Sequence, residues 1–449
     1  MDCLSRSKQS SSFEDSPISF GSSFVADMDL TNQLSAVLDR EHNDTVVQEL
    51  NLLDATLPPD KILRKVLSPD SFTRTASSFA CLQQGQQLPT SVVGYRTIGF
   101  GQCGLVFERP GRGYVPKVAK PSYEDGLWAD FKAHYSINQA FLKYQTSDRV
   151  IECRVPKLFS YITKEHQGWW NESRPVFTTI HNSLSLPAPV LISQRILPLP
   201  KVAREALVAK YCPESSQALV KANPTNRDCL ARVYLGRRRI TTAPSANFTL
   251  RNFNLHLDQM VELGLPVQKM AGAIGEALAI VHWAAHVDGY DIEFVLGSEG
   301  YTTYTRDLST VLNLSAEQVA ALPPQTDIES MISGKLKHRI TRLWMLDFNL
   351  CNMWDENAAF SSPGALISQL VISFFENDPY YPLPLMECDL DQELWAIFTA
   401  QYIQTAAQVL TGKDPRLAAL PLKFIDDCIE RERDNIKNGL GHGHRYLKQ

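Results

Sequence analysis

The pattern of hydrophobic and polar positions predicts a small sheet followed by a helix in the first half of the chain. Short apolar and β-branched runs at 95–98, 105–108 and 114–118 are separated by glycine-rich turns, which is typical of adjacent antiparallel strands. The second of these turns, Pro-Gly-Arg-Gly at 110–113, has the composition of a hairpin turn. Residues 128–144 then carry apolar side chains at helical spacing, so we expect a helix after the third strand.

In the second half the longest apolar pattern is helical. It starts at Pro266 and repeats apolar positions every three or four residues as far as Trp283, which predicts a buried helix. The chain from Asp347 to about residue 437 is also mainly helical in pattern. Short apolar runs between these segments predict strands at 190–192, 229–235, 294–296 and 343–346. Strands that precede a mainly helical region predict an α+β fold.

The turn between the first two predicted strands has the spacing Gly-x-Gly-x-x-Gly, from Gly99 through Gly101 to Gly104, and Val106 follows. Glycine lets backbone N–H groups approach phosphate oxygens because no Cβ stands in the way. Lys117, in the third strand, would reach the same phosphates with its ammonium group. The alternative for the glycines is a plain tight hairpin, but the lysine that follows favours a nucleotide site made by these glycines and Lys117.

Two acidic segments follow the long predicted helix. His-Val-Asp at 286–288 resembles the His-Arg-Asp segment of protein kinases, and the resemblance implies that Asp288 is a base that would orient or accept the proton of a substrate hydroxyl. Glu293 comes five residues later, and Asp347 begins an Asp-Phe-Asn segment after an apolar strand. The same resemblance implies that Glu293 and Asp347 bind the metal, and carboxylates are Mg²⁺ ligands. The alternative for Asp288 and Asp291 is a polar turn that caps a helix.

The sequence leaves open which side chain of the predicted helix pairs with Lys117. Glu124, Asp125, Asp130 and His134 all lie within range. If His134 is the residue that faces Lys117, the ion pair between the lysine and a helix carboxylate is missing.

In this order the segments resemble the protein-kinase fold. There a Gly-x-Gly-x-x-Gly-x-Val loop covers the phosphates, a strand lysine pairs the phosphates and a helix carboxylate, and His-Arg-Asp and Asp-Phe-Gly segments supply the base and a metal ligand. The resemblance implies a bilobal α+β fold, with a small β-rich N-lobe, a mainly helical C-lobe and insertions. It implies ATP and Mg²⁺ as cofactors.

The chain departs from that pattern in its catalytic half. Val287 replaces the arginine of His-Arg-Asp, Glu293 replaces the metal-binding asparagine, and residues 377–382 stand where an Ala-Pro-Glu segment would end the activation segment. Two functions therefore stay open. One is an atypical ATP-dependent phosphotransferase, and the other is a pseudokinase scaffold that acts through a protein partner.

More specifically, the chain resembles a fungal kinase-like family of unknown function whose members are often labelled zinc finger proteins. The resemblance covers roughly residues 90–410, and its most specific part is the run from His286 to Leu296. Other matching segments are 191–200, 229–236, 281–285, 344–350 and 377–382. It implies a filamentous fungal source and, for some members, genes beside secondary-metabolite clusters. It implies no settled activity.

The boundaries of the predicted segments follow from composition. A serine-rich tail precedes an accessory helical segment in which a helix at about 27–57 ends at Pro58-Pro59. The segments are a disordered tail (1–23), the accessory segment (24–75), the N-lobe (76–200), an insertion (201–228), the C-lobe (229–437, with an insertion at about 298–340) and a flexible tail (438–449).

Charge and composition limit the partners. The net charge of −5 disfavours general binding to nucleic acid, which calls for a basic excess. The first residues lack the apolar core of a secretory signal, and the longest apolar stretch, 271–285, is too short to span a bilayer and contains Glu276. We therefore predict an intracellular protein, cytoplasmic or nuclear, that does not bind membranes.

The nine cysteines are scattered singly along the chain, without a Cys-x-x-Cys pair. Cys428 with His442 and His444 comes nearest to a zinc-binding set, but the spacing misses the usual geometry. The cysteines are predicted to be free thiols, mostly buried. Zinc is not supported, and a zinc-dependent DNA-binding regulator is disfavoured by both spacing and charge.

Overall fold

The computed structural model describes residues 56–74, 95–108, 114–145, 150–177, 184–300 and 338–441, except 242, 244, 246 and 378. These residues form two β-sheets and a larger number of helices, so the predicted α+β class is confirmed. The serine-rich tail, the predicted helix at 27–57 as far as residue 55, the turn at 110–113, most of the insertion at 298–340 and the last eight residues lie outside the described residues.

The elements are numbered in chain order. The strands are β1 (Phe72–Arg74), β2 (Arg96–Phe100), β3 (Gly104–Glu108), β4 (Tyr114–Ala119), β5 (Cys153–Arg154), β6 (Leu158–Ile162), β7 (Val190–Gln194), β8 (Ala231–Tyr234), β9 (Phe253–His256), β10 (Glu293–Gly300) and β11 (His338–Leu346). The helices are α1 (Pro59–Leu67), α2 (Glu124–Tyr144), α3 (Gln167–Ser173), α4 (Lys201–Tyr211), α5 (Glu214–Ala222), α6 (Leu257–Glu262), α7 (Val267–Trp283), α8 (Glu356–Ser361), α9 (Pro363–Glu376), α10 (Asp389–Val409), α11 (Pro415–Ala418) and α12 (Leu420–Lys437). Short 3₁₀ helices follow α3 and α5.

The first sheet has five strands in the order β2-β3-β4-β7-β6, and every neighbouring pair is antiparallel. Side chains alternate between its two faces along each strand. Val118 packs into an aromatic cluster on one face, whereas Ala119 packs with Leu127 of α2 on the other. By the same alternation, Lys117 lies on the face that α2 covers. The alternation of β4 thus directs the predicted phosphate-binding lysine towards a helix.

The second sheet is mixed and has the order β1-β11-β10-β8-β9, with β5 paired to β11. The antiparallel strands β10 and β11 pair residue for residue from Glu293↔Leu346 to Gly300↔Arg339. This register places Glu293 next to the end of β11, where Asp347 follows. The two predicted metal ligands therefore meet because of strand pairing, although 54 positions separate them in the sequence.

The largest core lies under the second sheet and among the helices that follow it. Helix α7 is buried around most of its circumference and packs most extensively on α10. A helix that is apolar on all sides belongs in the interior of a protein. None of the helices in the described part of the chain is long and apolar enough to cross a membrane.

The element predictions agree closely with the structure. The long predicted helix at 266–283 is α7, and the helix predicted at 128–144 begins four residues earlier, at Glu124. The insertion at 201–228 contains α4 and α5. Pro59, which was predicted to end a helix, begins α1, because proline is well tolerated in the first turn of a helix.

Candidate functional site

Lys117 joins two carboxylates that come from different parts of the fold. Its Nζ lies 2.7 Å from Oδ2 of Asp130 on α2 and 3.1 Å from Oδ1 of Asp347, just after β11. The lysine side chain is only 12% exposed. Burial opposes its charge, but the two carboxylates outweigh that effect and hold the pKa of Lys117 well above its ordinary value. The lysine is therefore a fixed cation between the first sheet and the second.

Asp130 is the partner of Lys117 on α2 that the sequence could not identify. Its carboxylate is buried. Glu124 instead pairs with Lys164, and Nε2 of His134 lies 2.7 Å from the carbonyl oxygen of Pro156. Burial lowers the pKa of His134. The ion pair expected between the strand lysine and the helix is therefore present, with an aspartate in it.

The glycine turn lies against the lysine. A Cβ added to Gly101 would stand 3.5 Å from Cε of Lys117, so the lysine side chain lies beside the position that a side chain at residue 101 would occupy. The N–H of Gly101 donates to the carbonyl of Gly104 over 3.0 Å, and Nζ of Lys120 donates to the carbonyl of Gly101 over 2.6 Å. Gly99 lies opposite Val106 in the neighbouring strand. The three glycines thus form a tight turn that lies near Lys117.

Asp347 has a left-handed backbone, with φ of +65°. Few residues other than glycine adopt this conformation, although aspartate is among those that tolerate it. The next residue, Phe348, is buried and packs on the ring of His134, with ring centres 4.9 Å apart. The Asp347 side chain remains 26% exposed. Asp347 is therefore held by Lys117 and stays accessible from solvent.

Glu293 lies close to Asp347 but pairs with Arg232, which sequence analysis had treated only as part of a strand. Nη2 of Arg232 donates to Oε1 of Glu293. Burial raises the pKa of Glu293 to about 7, and the negative charges of Asp347 and Asp291 contribute in the same direction, whereas Arg232 opposes them. The predicted metal ligand is therefore already engaged by a cation of the protein.

Asp291 is a third carboxylate near this position. It is exposed at the surface and has a left-handed backbone, with φ of +62°. Its carboxyl is nevertheless partly desolvated, and this partial desolvation and the charge of Asp347 raise its pKa, while Arg232 and Lys117 lower it. Asp291 thus lies within electrostatic range of the same groups. The charged cluster is defined here as Lys117, Asp130, Arg232, Asp291, Glu293 and Asp347.

Asp288 does not belong to the charged cluster. Its side chain is buried, with 1% exposed, and its two oxygens accept four hydrogen bonds. The donors are the backbone N–H groups of Tyr290 and Asn352 and the side-chain amides of Asn352 and Gln369, at 2.9–3.1 Å. A carboxylate has about four acceptor positions, so all of them are used. In this geometry Asp288 anchors its loop and offers no open oxygen to a substrate hydroxyl.

A second anchor of the same loop comes from residues 377–382, which the sequence placed where an Ala-Pro-Glu segment would lie. The side-chain amide of Asn377 donates to the carbonyl of Ile292 over 2.8 Å and to the hydroxyl of Tyr381 over 3.1 Å. Because Ile292 lies between Asp291 and Glu293, Asn377 fixes the backbone that carries both carboxylates. In the sequence, only the position of residues 377–382 after the Asp-Phe-Asn segment indicated that they belong near the site.

The charged cluster has the chemistry to hold a phosphate group and one divalent cation. Lys117 would bind phosphate oxygens, and the partly exposed Asp347 is a suitable Mg²⁺ ligand. Because Gly101 lies beside the lysine, a phosphate held by Lys117 would lie next to the glycine turn. Among the described residues, no group of three or more His, Cys, Asp or Glu side chains has a geometry that could hold a metal ion.

The described cysteines are free, and Cys388 is the exposed one among them. Two arginines of the run at 237–239 make local ion pairs: Arg238 with Asp391, and Arg239 with Asp258. These pairs neutralise much of the charge of the run.

Comparison with models of known protein families gives a match to the later part of the chain. A family model described as "Zinc finger protein" matches residues 343–414. This segment has two cysteines, Cys351 and Cys388, and no histidine, whereas a structural zinc site takes four ligands that are usually cysteine and histidine. The match includes Asp347, which pairs with Lys117, and Asn377, which anchors the loop of the charged cluster. No curated protein matches the chain.

Proposed function

We propose that the chain is a kinase-like protein that binds a nucleotide, with the phosphates of the nucleotide at the charged cluster. One observation carries the proposal. Lys117 bridges a carboxylate of the following helix, Asp130, and the aspartate of the Asp-Phe-Asn segment, Asp347, directly beside Gly101. A strand lysine in this arrangement pairs phosphates in the kinases that the sequence resembles.

The proposal includes a bilobal arrangement of the kinase type. The five-stranded sheet and α2 would be the small N-lobe, and the second sheet with the later helices would be the C-lobe. Lys117 comes from the first part, while Asp291, Glu293 and Asp347 come from the second. A nucleotide would bind between them, with Mg²⁺ held by Asp347.

For the reaction, the surroundings of Asp288 favour the second of the two functions. Its carboxylate is buried and has four donors, so a base for substrate deprotonation is lacking at the predicted position. We therefore propose a nucleotide-binding pseudokinase that acts through a protein partner, ahead of an ATP-dependent phosphotransferase. A fungal source and a link to secondary metabolism enter the proposal only through the family resemblance.

The test is thermal unfolding of the full chain with ATP, alone and with Mg²⁺ or Mn²⁺. A ligand that binds only the folded state stabilises it by about 2.7 kcal/mol at one hundred times Kd, so the midpoint should rise by several degrees. Lys117→Met and Asp347→Ala should remove the shift. Lys164→Met, which breaks the exposed pair with Glu124, is the matched control and should keep it. If no nucleotide raises the unfolding midpoint, the proposal is refuted.

Phosphoryl transfer is tested separately, by incubating the protein with γ-labelled ATP and measuring phosphate release and self-labelling. The scaffold proposal predicts neither activity above that of the Lys117→Met variant. Metal-dependent turnover that Asp288→Asn abolishes, while nucleotide binding persists, would instead establish the phosphotransferase.

A further inference from the structure

Arg232 occupies the place where the sequence predicts a second metal site. It lies on β8, opposite Val295 of β10. Glu293 and Val295 share one face of β10 because side chains two residues apart point the same way. Arg232 and Glu293 are therefore diagonal neighbours on the same face of the sheet, and Nη2 of the arginine donates to Oε1 of the glutamate.

This pair changes what Glu293 can bind. Its side chain is 20% exposed and that of Arg232 is 24% exposed, so the pair is only partly accessible to solvent. A divalent cation at Glu293 would have to share the carboxylate with the guanidinium, which already holds Oε1, and would lie beside a fixed positive charge. The residues at this position do not fit a second metal ion, although Asp347 fits the first.

The same pair brings a phosphate-binding group to the cluster. Asp291, Glu293 and Asp347 alone would repel a polyphosphate. A guanidinium offers five N–H donors in a planar fork that matches phosphate oxygens, and Glu293 uses part of that fork. Within the described part of the chain, Nε of Arg232 is buried and has no hydrogen-bond acceptor. The Arg232 side chain as a whole is 24% exposed and only its Nη2 donates to Glu293, so an anion can approach the rest of the guanidinium.

We propose that Arg232 contacts the terminal phosphate of the nucleotide in place of a second metal ion, so that the site takes one divalent cation, at Asp347. This inference rests on the proposed nucleotide binding. Arg232 then contributes to specificity, because it distinguishes a triphosphate from a diphosphate by the phosphate that it contacts. Glu293 orients the guanidinium and leaves the metal to Asp347.

The experiment measures nucleotide affinity by calorimetry and bound Mn²⁺ by electron paramagnetic resonance, with the full chain and saturating ATP. We expect one Mn²⁺ per chain. Arg232→Gln should weaken ATP binding at least tenfold and ADP binding much less, and Arg232→Lys should restore part of the affinity for ATP. Arg239→Gln, which removes an arginine paired with Asp258 outside the cluster, should leave both affinities unchanged.

Each result has a distinct meaning. If the wild-type chain binds no nucleotide, nucleotide binding itself is wrong. If it binds ATP with two Mn²⁺ ions, or if Arg232→Gln binds ATP as tightly as the wild type, nucleotide binding stands and the role of Arg232 is overturned. The Mn²⁺ count is made on the unaltered protein, so it can overturn the one-cation site even if Arg232→Gln does not fold.

Discussion

Asp288 and Asp291 of the charged cluster are three residues apart along the chain, but their surroundings differ in burial and in hydrogen bonding. Asp288 is buried and all its acceptor positions are taken by protein donors. Asp291 is exposed and within range of Lys117 and Asp347. Both belong to one loop, and sequence spacing alone gave the catalytic role to Asp288.

The difference separates an anchor from a binding site. A fully hydrogen-bonded carboxylate fixes its surroundings, and its loss leaves buried donors without acceptors. Carboxylates that crowd one another, as in the charged cluster, gain by binding a cation. The two regions should therefore respond differently to substitution: the first through folding stability, and the second mainly through ligand affinity.

The largest effect is expected at the anchor. Asp288→Ala leaves four donors without acceptors, two of them on Asn352, and should lower the free energy of unfolding by about 4 kcal/mol. Urea unfolding followed by circular dichroism measures this. Asp291→Asn is the matched control and should change stability by less than about 0.5 kcal/mol. An Asp288→Ala protein that is as stable as the wild type would show that Asp288 is not an anchor.

The core beneath the anchor should be sensitive to acid. Burial lowers the pKa of His282 from 6.5 to about 4 in the folded protein, although Asp288 raises it. The unfolded chain then binds this proton more readily, so stability is lost as pH falls from 6.5 towards 4, by at most about 3 kcal/mol.

Unfolding free energies measured across this pH range provide the check, with His282→Gln as the comparison. The variant should be less stable at pH 7, because Nδ1 of His282 lies 2.9 Å from the hydroxyl of Tyr402. Its pH dependence should be shallower. A residual slope is expected from His134, whose pKa is also lowered by burial. Equal slopes for both proteins would mean that His282 does not titrate in this range.

In the charged cluster, Lys117→Met should destabilise the fold somewhat less than the loss of Asp288, by about 3 kcal/mol, because it leaves the buried carboxylate of Asp130 without its cation. Asp130→Leu in the same chain should recover much of that stability, since it removes the unpaired charge. A double-mutant cycle of urea unfolding gives the coupling. Nucleotide binding should stay lost in the double variant, and its return would contradict a role for Lys117 in binding phosphate.

The smallest effect on folding is expected at the glycine turn. Gly101→Ala should cost less than about 1 kcal/mol, because its Cβ would lie 3.3 Å from a carbonyl and 3.5 Å from the flexible Lys117. It should nevertheless weaken ATP binding, since the methyl group takes space beside the lysine. Gly104→Ala is the contrast, with a Cβ 2.7 Å from the carbonyl oxygen of Val118, and should cost about 2 kcal/mol. Unchanged ATP affinity in Gly101→Ala would place the phosphates elsewhere.

The sequence predicted the elements well because their periodicity is local. Helix α7 and strand β4 could be located from apolar spacing and from the residues that flank them. Lys117 and Asp347 could each be assigned to a nucleotide site because each stands in a recognisable segment. Their direct contact was not predicted, and their roles stay predictions.

What could not be predicted depends on contacts between distant segments. Four side chains near Lys117 had compatible spacing, and only the packing of α2 on the sheet selects Asp130. The Arg232–Glu293 pair requires β8 to lie beside β10, which no local pattern specifies. The surroundings of Asp288 could not be predicted for a related reason: spacing gives the position of a carboxylate, but its donors Asn352 and Gln369 come from a later part of the chain.

The pairing of β10 with β11 also has a consequence for engineering and for divergence. Gly300 lies opposite Arg339, so the chain leaves and re-enters the sheet at one point, seven residues along β10 from Glu293. At about 3.3 Å per residue, that point is about 23 Å from the charged cluster. A reporter domain or a long insertion could be joined between these two strand ends without altering the cluster, and related chains are free to vary there in length while their sites stay the same.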